Sequence, residues 1–121
     1  MKAKQRAAIA GIIVALVNNS QIKNVYSYEL ATHISLTGTA KNNHVNVYDY
    51  SRSCHISGNS SNGTQYSLYD YGTSYHVSLI INVRNITGYD YGSGYHFSCS
   101  VNGNSASFYD YETGQYYNYS C

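Results

Sequence analysis

The chain has 121 residues and a formal net charge of +1, with 16 tyrosines, no tryptophan or proline, and only 11% charged residues. That length supports one domain with a modest core, and the charged fraction is well under the roughly 25% of an average soluble protein. Because the region after residue 20 has no basic patch, the composition argues against a nucleic-acid partner. A neutral, hydrogen-bonding and aromatic surface is instead typical of an extracellular or self-associating protein.

The N-terminal segment, residues 1–20, differs from the rest of the chain. A basic start over residues 1–6 precedes an uninterrupted apolar run over residues 7–17. This order is typical of a secretory signal, and the run is too short for a stable membrane span of roughly 20 residues. Alternatively, a retained segment, as helix or strand, could dock into a neighbouring subunit. The docking side chains would be Ile12, Ile13, Val14, Leu16 and Val17.

Residues 21–121 form a second region, built from five copies of a repeat about 20 residues long. Each copy has a Tyr-X-Tyr triplet, with Asp at X in the last four copies, and a His or Tyr seven residues after the first Tyr. The copies begin at Tyr26, Tyr48, Tyr69, Tyr89 and Tyr109. Such a period indicates one supersecondary unit copied along the chain. Enzymes rarely have this organisation, and no nucleophile, metalloprotease or phosphate-loop motif is present, so we predict a protein without catalytic activity or cofactor.

The last copy indicates how each repeat folds. Residues 109–116, Tyr-Asp-Tyr-Glu-Thr-Gly-Gln-Tyr, resemble the turn of small designed β-hairpins written Tyr-Asp-Pro-Glu-Thr-Gly-Thr-Trp. In that arrangement the Asp carboxylate accepts backbone N–H bonds, and the Gly completes a type I turn with a G1 bulge. Each repeat is therefore predicted to be a hairpin with an aromatic pair across its strands. The predicted pairs are Tyr48 with His55, Tyr69 with His76, Tyr89 with His96, and Tyr109 with Tyr116.

Period-two alternation assigns the strand residues to two faces. The predicted core face carries Val45, Val47, Ile56, Tyr66, Leu68, Val77, Leu79, Ile81, Val83, Ile86, Phe97, Cys99, Val101, Ala106 and Phe108. The predicted interaction face carries Tyr48, Tyr50, Tyr69, Tyr71, Tyr89, Tyr91, Tyr109 and Tyr111. The fold is expected to be an all-β antiparallel meander of about nine or ten strands, as a barrel or sandwich. A curli-like parallel β-solenoid is the alternative, although it would stack equivalent Asp side chains about 4.7 Å apart.

The repeated histidines and aspartates have structural interpretations. In a meander the histidines lie on alternate strands, roughly 10 Å apart, which is too far for them to share a metal ion. Asp49, Asp70, Asp90 and Asp110 occupy the turns, so we expect them to cap the turns rather than to form a catalytic carboxylate pair. No metal site is therefore predicted.

The cysteines and sequons bear on secretion. Cys99 and Cys121 share core-facing parity, so a disulfide between them would suit a secreted protein and would leave Cys54 buried, free or intermolecular. The alternative is that the cysteines are simple buried thiols. The candidate N-glycosylation sites are Asn59, Asn62, Asn85 and Asn118. The first three of them fall in predicted loops, where a glycan could be accommodated.

An exposed row of tyrosines has two natural uses, because aromatic rings pack on protein surfaces or on sugar rings at little entropic cost. The organisation of the chain resembles that of repeat-built secreted fibre and pilus-like subunits. This resemblance implies an extracellular structural subunit that forms a filament with identical subunits. The alternative is a secreted carbohydrate-binding or adhesive module whose partners are glycans.

Overall fold

A computed structural model describes residues 1–121, as one α-helix followed by β-strands. The helix α1 spans Ala3–Asn18. The strands are β1 (Val25–Ser27), β2 (Thr32–Ile34), β3 (Leu36–Lys41), β4 (His44–Asp49), β5 (Cys54–Ser60), β6 (Gln65–Asp70), β7 (Tyr75–Asn82), β8 (Asn85–Asp90), β9 (Tyr95–Asn102), β10 (Ser105–Asp110) and β11 (Gln115–Ser120).

The predicted antiparallel meander is confirmed. All eleven strands belong to one sheet in the order β2-β1-β11-β10-β9-β8-β7-β6-β5-β4-β3, and every pair is antiparallel, which excludes the parallel solenoid. The outermost strands, β2 and β3, follow each other along the chain with only Ser35 between them. The sheet therefore curls into a nearly closed barrel of five hairpins. The strand count exceeds the predicted nine or ten because Ser35 divides one strand into two.

The helix α1 fills the interior of this barrel. Its residues from Gln5 to Ala15 are buried, and they are apolar on all sides of the helix except at Gln5 and Arg6. A helix that is apolar all round needs cover on every side, and the inward-facing side chains of the sheet supply it. The sequence is compatible with either a helix or a strand for residues 7–17. A strand in the interior would have no sheet edge to pair with, whereas a helix satisfies its backbone hydrogen bonds internally.

The helix packs closely against the sheet at Gly11. A Cβ atom at this position would lie 2.5 Å from Val25 Cγ2 and 2.8 Å from Leu36 Cδ1. Only a residue without a side chain therefore allows this contact with β1 and β3. The chain contains no helix that is both long and apolar enough to cross a membrane.

The alternation of faces is as predicted. Inward-facing residues such as Val47, Leu68 and Phe108 form one apolar cluster with the helix, so residues 1–20 and 21–121 share a single core. Phe97 stacks on Phe108 with ring centroids 4.8 Å apart. One predicted core residue is placed wrongly, because Val83 lies in the turn between β7 and β8 and is exposed.

Candidate functional site

The predicted turn chemistry is present in each Asp-containing repeat. The Asp carboxylate accepts the backbone N–H of the residue two positions later, for example Ser51 on Asp49 and Gly72 on Asp70. Each turn then passes through one residue with positive φ. This residue is Gly94 or Gly114 in the last two repeats and Ser53 or Ser74 in the earlier ones. In the first repeat, which has Ser27 in place of Asp, the equivalent residue is Ala31. All five turns lie together at one end of the barrel, which we call the turn end.

The cross-strand register matches the predicted aromatic pairs. Tyr48 lies opposite His55, and the equivalent pairs follow in the later hairpins. Within each hairpin the first tyrosine contacts both its partner and the second tyrosine edge-on, with ring centroids 4.7–4.9 Å apart. Such contacts contribute about 0.5–1.5 kcal/mol each beyond burial. Each second tyrosine is thereby held in position before any partner binds.

These clusters form a continuous band around the barrel, which we call the tyrosine belt. It comprises Tyr26, Tyr28, Tyr48, Tyr50, Tyr69, Tyr71, Tyr89, Tyr91, Tyr109 and Tyr111. The second tyrosine of every hairpin is 56–62% exposed, and its N–H donates to a carbonyl of the preceding hairpin, as Tyr71 does to His55. Tyr28 donates to Asn118 in the same way and closes the circle between the first and last hairpins.

The aspartates have a second role that the sequence analysis missed. Their side chains point into the barrel at the turn end and are only 0–3% exposed. Arg52 donates to Asp49 at 2.8 Å and to Asp70 at 3.0 Å, which joins two neighbouring hairpins. Each Asp immediately follows an outward-facing tyrosine, so its inward direction could have been read from the alternation of faces.

The fourth aspartate anchors the helix. Arg6 of α1 donates to Asp110 at 2.9 Å and to Glu29 at 2.9 Å, and its guanidinium lies 3.5 Å from the ring centroid of Tyr117. The Met1 ammonium group pairs with Asp110 and Glu112. The carboxylates at this end of the barrel also interact favourably with the helix dipole, whose positive end is the N-terminus of α1. The acidic turn end therefore fixes the direction in which α1 enters the barrel.

The predicted docking segment lies inside its own barrel. Ile12, Ile13 and Val14 are fully buried there, while Leu16 and Val17 pack at the edge of the same core. Docking of this segment into a neighbouring subunit stays a prediction, and it would require α1 to leave this interior.

The structure contains three free thiols, so the disulfide suggested for Cys99 and Cys121 is absent from it. Burial raises the pKa of Cys99 to about 12 and that of Cys121 to about 11. Both groups are therefore neutral thiols at ordinary pH, and thiolates, the reactive form, are scarce.

All four candidate glycosylation sites are exposed. Two of them are not in loops as predicted: Asn59 lies near the end of β5, and Asn85 is the first residue of β8. Asn62 lies between strands, and Asn118 points outward from β11. Glycosylation of these side chains stays a prediction.

The chain matches no family model, and no curated protein or solved structure shows significant similarity to it. The tyrosine belt and the buried aspartates therefore have to be interpreted from their own geometry.

Proposed function

We propose that the protein is a non-catalytic structural subunit of an extracellular filament, and that it assembles with identical subunits through the tyrosine belt. The observation that carries this proposal is the exposure of one preorganised tyrosine in every hairpin around the barrel. A single partner bound on one side would leave most of such a belt uncovered. Neighbours on several sides could cover it.

The chemistry of the belt favours association. Extended exposed aromatic surface is uncommon on monomeric proteins and marks interaction sites. Tyrosine contributes a large contact area with few torsions to immobilise, and its hydroxyl group forms hydrogen bonds at the rim of an interface. The formal charge of +1 supplies little repulsion between copies.

The edges of the sheet offer less surface for assembly than the belt does. The two edge strands are β2, of three residues, and β3, of six residues, which are joined through Ser35. A strand from another copy needs an unpaired edge and could pair only at these two strands. The belt surrounds the barrel, so it is the surface through which we expect copies to meet.

The test is to replace the exposed belt tyrosines Tyr50, Tyr71, Tyr91 and Tyr111 with serine and to examine both proteins by negative-stain electron microscopy and light scattering. We expect the wild type to form filaments and the variant to remain monomeric. A matched control replaces Tyr95 and Ile80, which are exposed but lie off the belt, with serine. Equal assembly of the belt variant and the wild type, or loss of assembly in the control, would overturn the proposal.

A shallow groove on the outer surface favours glycan binding as the second candidate function. The groove has a volume of about 630 Å³ and lies beside the exposed ring of Tyr28. Hydroxyl and amide groups of Ser100, Asn102, Ser107 and Asn118 line it. An aromatic face beside neutral hydrogen-bonding groups is suited to a sugar ring, which has an apolar face and hydroxyl edges.

Native affinity electrophoresis tests this second function by comparing the mobility of the protein in gels with and without cello- or chito-oligosaccharides. We expect retention of the wild type and reduced retention of Tyr28→Ala and Asn102→Ala. Thr87→Ala, an exposed position outside the groove, serves as the control. Equal mobility of all four proteins with and without sugar would remove glycan binding from consideration.

A further inference from the structure

A cavity distinct from the surface groove lies at the turn end, beside the first turn of α1. Its volume is about 480 Å³, which is within the range of small-molecule sites. Asp90, Tyr75, Gly92, Gln5 and Arg52 contribute to its lining. The cavity is separate from the tyrosine belt, and the inference drawn from it does not depend on the proposed function.

Asp90 differs from its three equivalents because it has no cationic partner. Asp49 and Asp70 share Arg52, and Asp110 pairs with Arg6. Asp90 is equally buried, at 3% exposed, yet its carboxylate accepts only one hydrogen bond, from the Gly92 N–H at 3.2 Å. Lys2 and the Met1 ammonium group line the same cavity, but neither forms an ion pair with Asp90. A buried carboxylate without a counter-charge is costly.

The pairing of Asp70 with Arg52 shows which side chain can neutralise a buried turn carboxylate in this barrel. Arg52 is the fourth residue after the first tyrosine of its repeat, and it donates from there to Asp70 of the next hairpin. The equivalent residue one repeat later is Thr73. A threonine side chain is too short to reach Asp90 and carries no charge. The guanidinium that the pattern of the barrel would place beside Asp90 is therefore missing from the chain.

Two further polar atoms in the cavity lining lack hydrogen-bond partners. Gln5 is 3% exposed, and its Nε2 atom has no hydrogen-bond acceptor; Arg52 Nη2 has none either. These donors are complementary to a carboxylate or carbonyl oxygen. The ring of Tyr75 lies against Gly92, at 3.2 Å from where a Cβ would stand, and supplies an aromatic wall of the kind that a planar cation packs against.

We propose that this cavity binds a small organic cation whose guanidinium or primary ammonium group pairs with Asp90. An acceptor oxygen elsewhere in the ligand would satisfy the donors of Gln5 and Arg52. A charge-assisted pair with a buried carboxylate is stronger than a neutral hydrogen bond, so the charge of the ligand is the main determinant of its recognition.

The test uses L-arginine as the probe and L-citrulline as its neutral isostere, with binding followed by calorimetry and by NMR shifts of the Asp90 and Gly92 amides. We expect the full chain to bind L-arginine at least about tenfold more tightly than L-citrulline. Asp90→Asn keeps an oxygen for the Gly92 N–H but removes the charge, and we expect it to lose this preference. Equal binding of the two probes by the wild type would overturn the proposal.

Two further variants separate the site from general effects of charge and folding. Glu29→Gln removes a carboxylate from the same end of the barrel but outside the cavity, and it should retain the preference for L-arginine. Thr73→Arg restores the missing guanidinium within the chain, so it should block L-arginine and raise the melting temperature. If Asp90→Asn does not fold, Thr73→Arg still decides the question. Unchanged L-arginine binding by Thr73→Arg, or equal losses in Glu29→Gln and Asp90→Asn, would contradict the proposal.

Discussion

Replacing Arg6 with methionine is expected to lower the free energy of unfolding by about 3–5 kcal/mol, the range observed when one partner of a buried ion pair is removed. The side chain of Arg6 is almost fully buried, and its guanidinium donates to Asp110, to Glu29 and to the Met1 carbonyl. Methionine fills a similar volume but leaves the buried Asp110 with the Met1 ammonium group as its only cationic neighbour. The variant therefore tests whether the acidic turn end holds the helix in the barrel.

Arg6 is charged in the folded protein at any ordinary pH. Burial by itself lowers its pKa, but the hydrogen-bonded Glu29 carboxylate and the neighbouring Tyr119 together raise it more, so the pKa lies above its usual value. The ion pairs are therefore not lost by titration of the arginine.

Chemical denaturation followed by far-UV circular dichroism measures this effect. Lys4→Met, at an exposed position on the same helix, is the control and should change stability by less than about 0.5 kcal/mol. The double variant Arg6→Met with Asp110→Asn should lose less than the sum of the two single changes, because the residues are in contact. A loss under about 1 kcal/mol for Arg6→Met would show that the ion pair does not anchor the helix.

Replacing Gly11 with leucine is expected to destabilise the barrel by about 3 kcal/mol or more, or to prevent folding. Leucine is intrinsically better than glycine in a helix, by roughly 1 kcal/mol, so propensity alone predicts the opposite sign. At this position, however, the first side-chain carbon would already lie 2.5 Å from Val25 Cγ2 and 2.8 Å from Leu36 Cδ1. The helix is enclosed on all sides and has no free direction in which to move.

Lys4→Leu provides the matched control, since it adds leucine to an exposed position of the same helix. A second-site variant tests the mechanism: Gly11→Leu combined with Leu36→Ala should recover part of the lost stability, because the new side chain gains the space of the removed one. Thermal unfolding of all four proteins decides between the possibilities. If Gly11→Leu is as stable as the wild type, the helix cannot pack against β1 and β3 as described.

Much of the sheet could be predicted because its determinants are local. The Asp carboxylate and the positive-φ residue act within a few positions of each other, so the hairpin turns and the Tyr48–His55 type of pair followed from one repeat. Period-two alternation separated the outward tyrosines from the inward aliphatic residues. The same alternation makes Asp70 an inward residue. Its buried charge is neutralised by Arg52 of another hairpin, so this pairing could not be predicted from one repeat.

By itself, the sequence determined the hairpin repeat and the tyrosine face and favoured antiparallel pairing over a parallel solenoid, since these depend on turn chemistry and on alternation within about 20 residues. Only the tertiary structure decided that the sheet closes around α1, that Arg6 meets Asp110, and that Asp90 is without a cation. These features join residues separated by up to 104 positions, and they exist only because closure creates an interior. An apolar segment such as residues 7–17 must be buried somewhere, but its composition does not specify where.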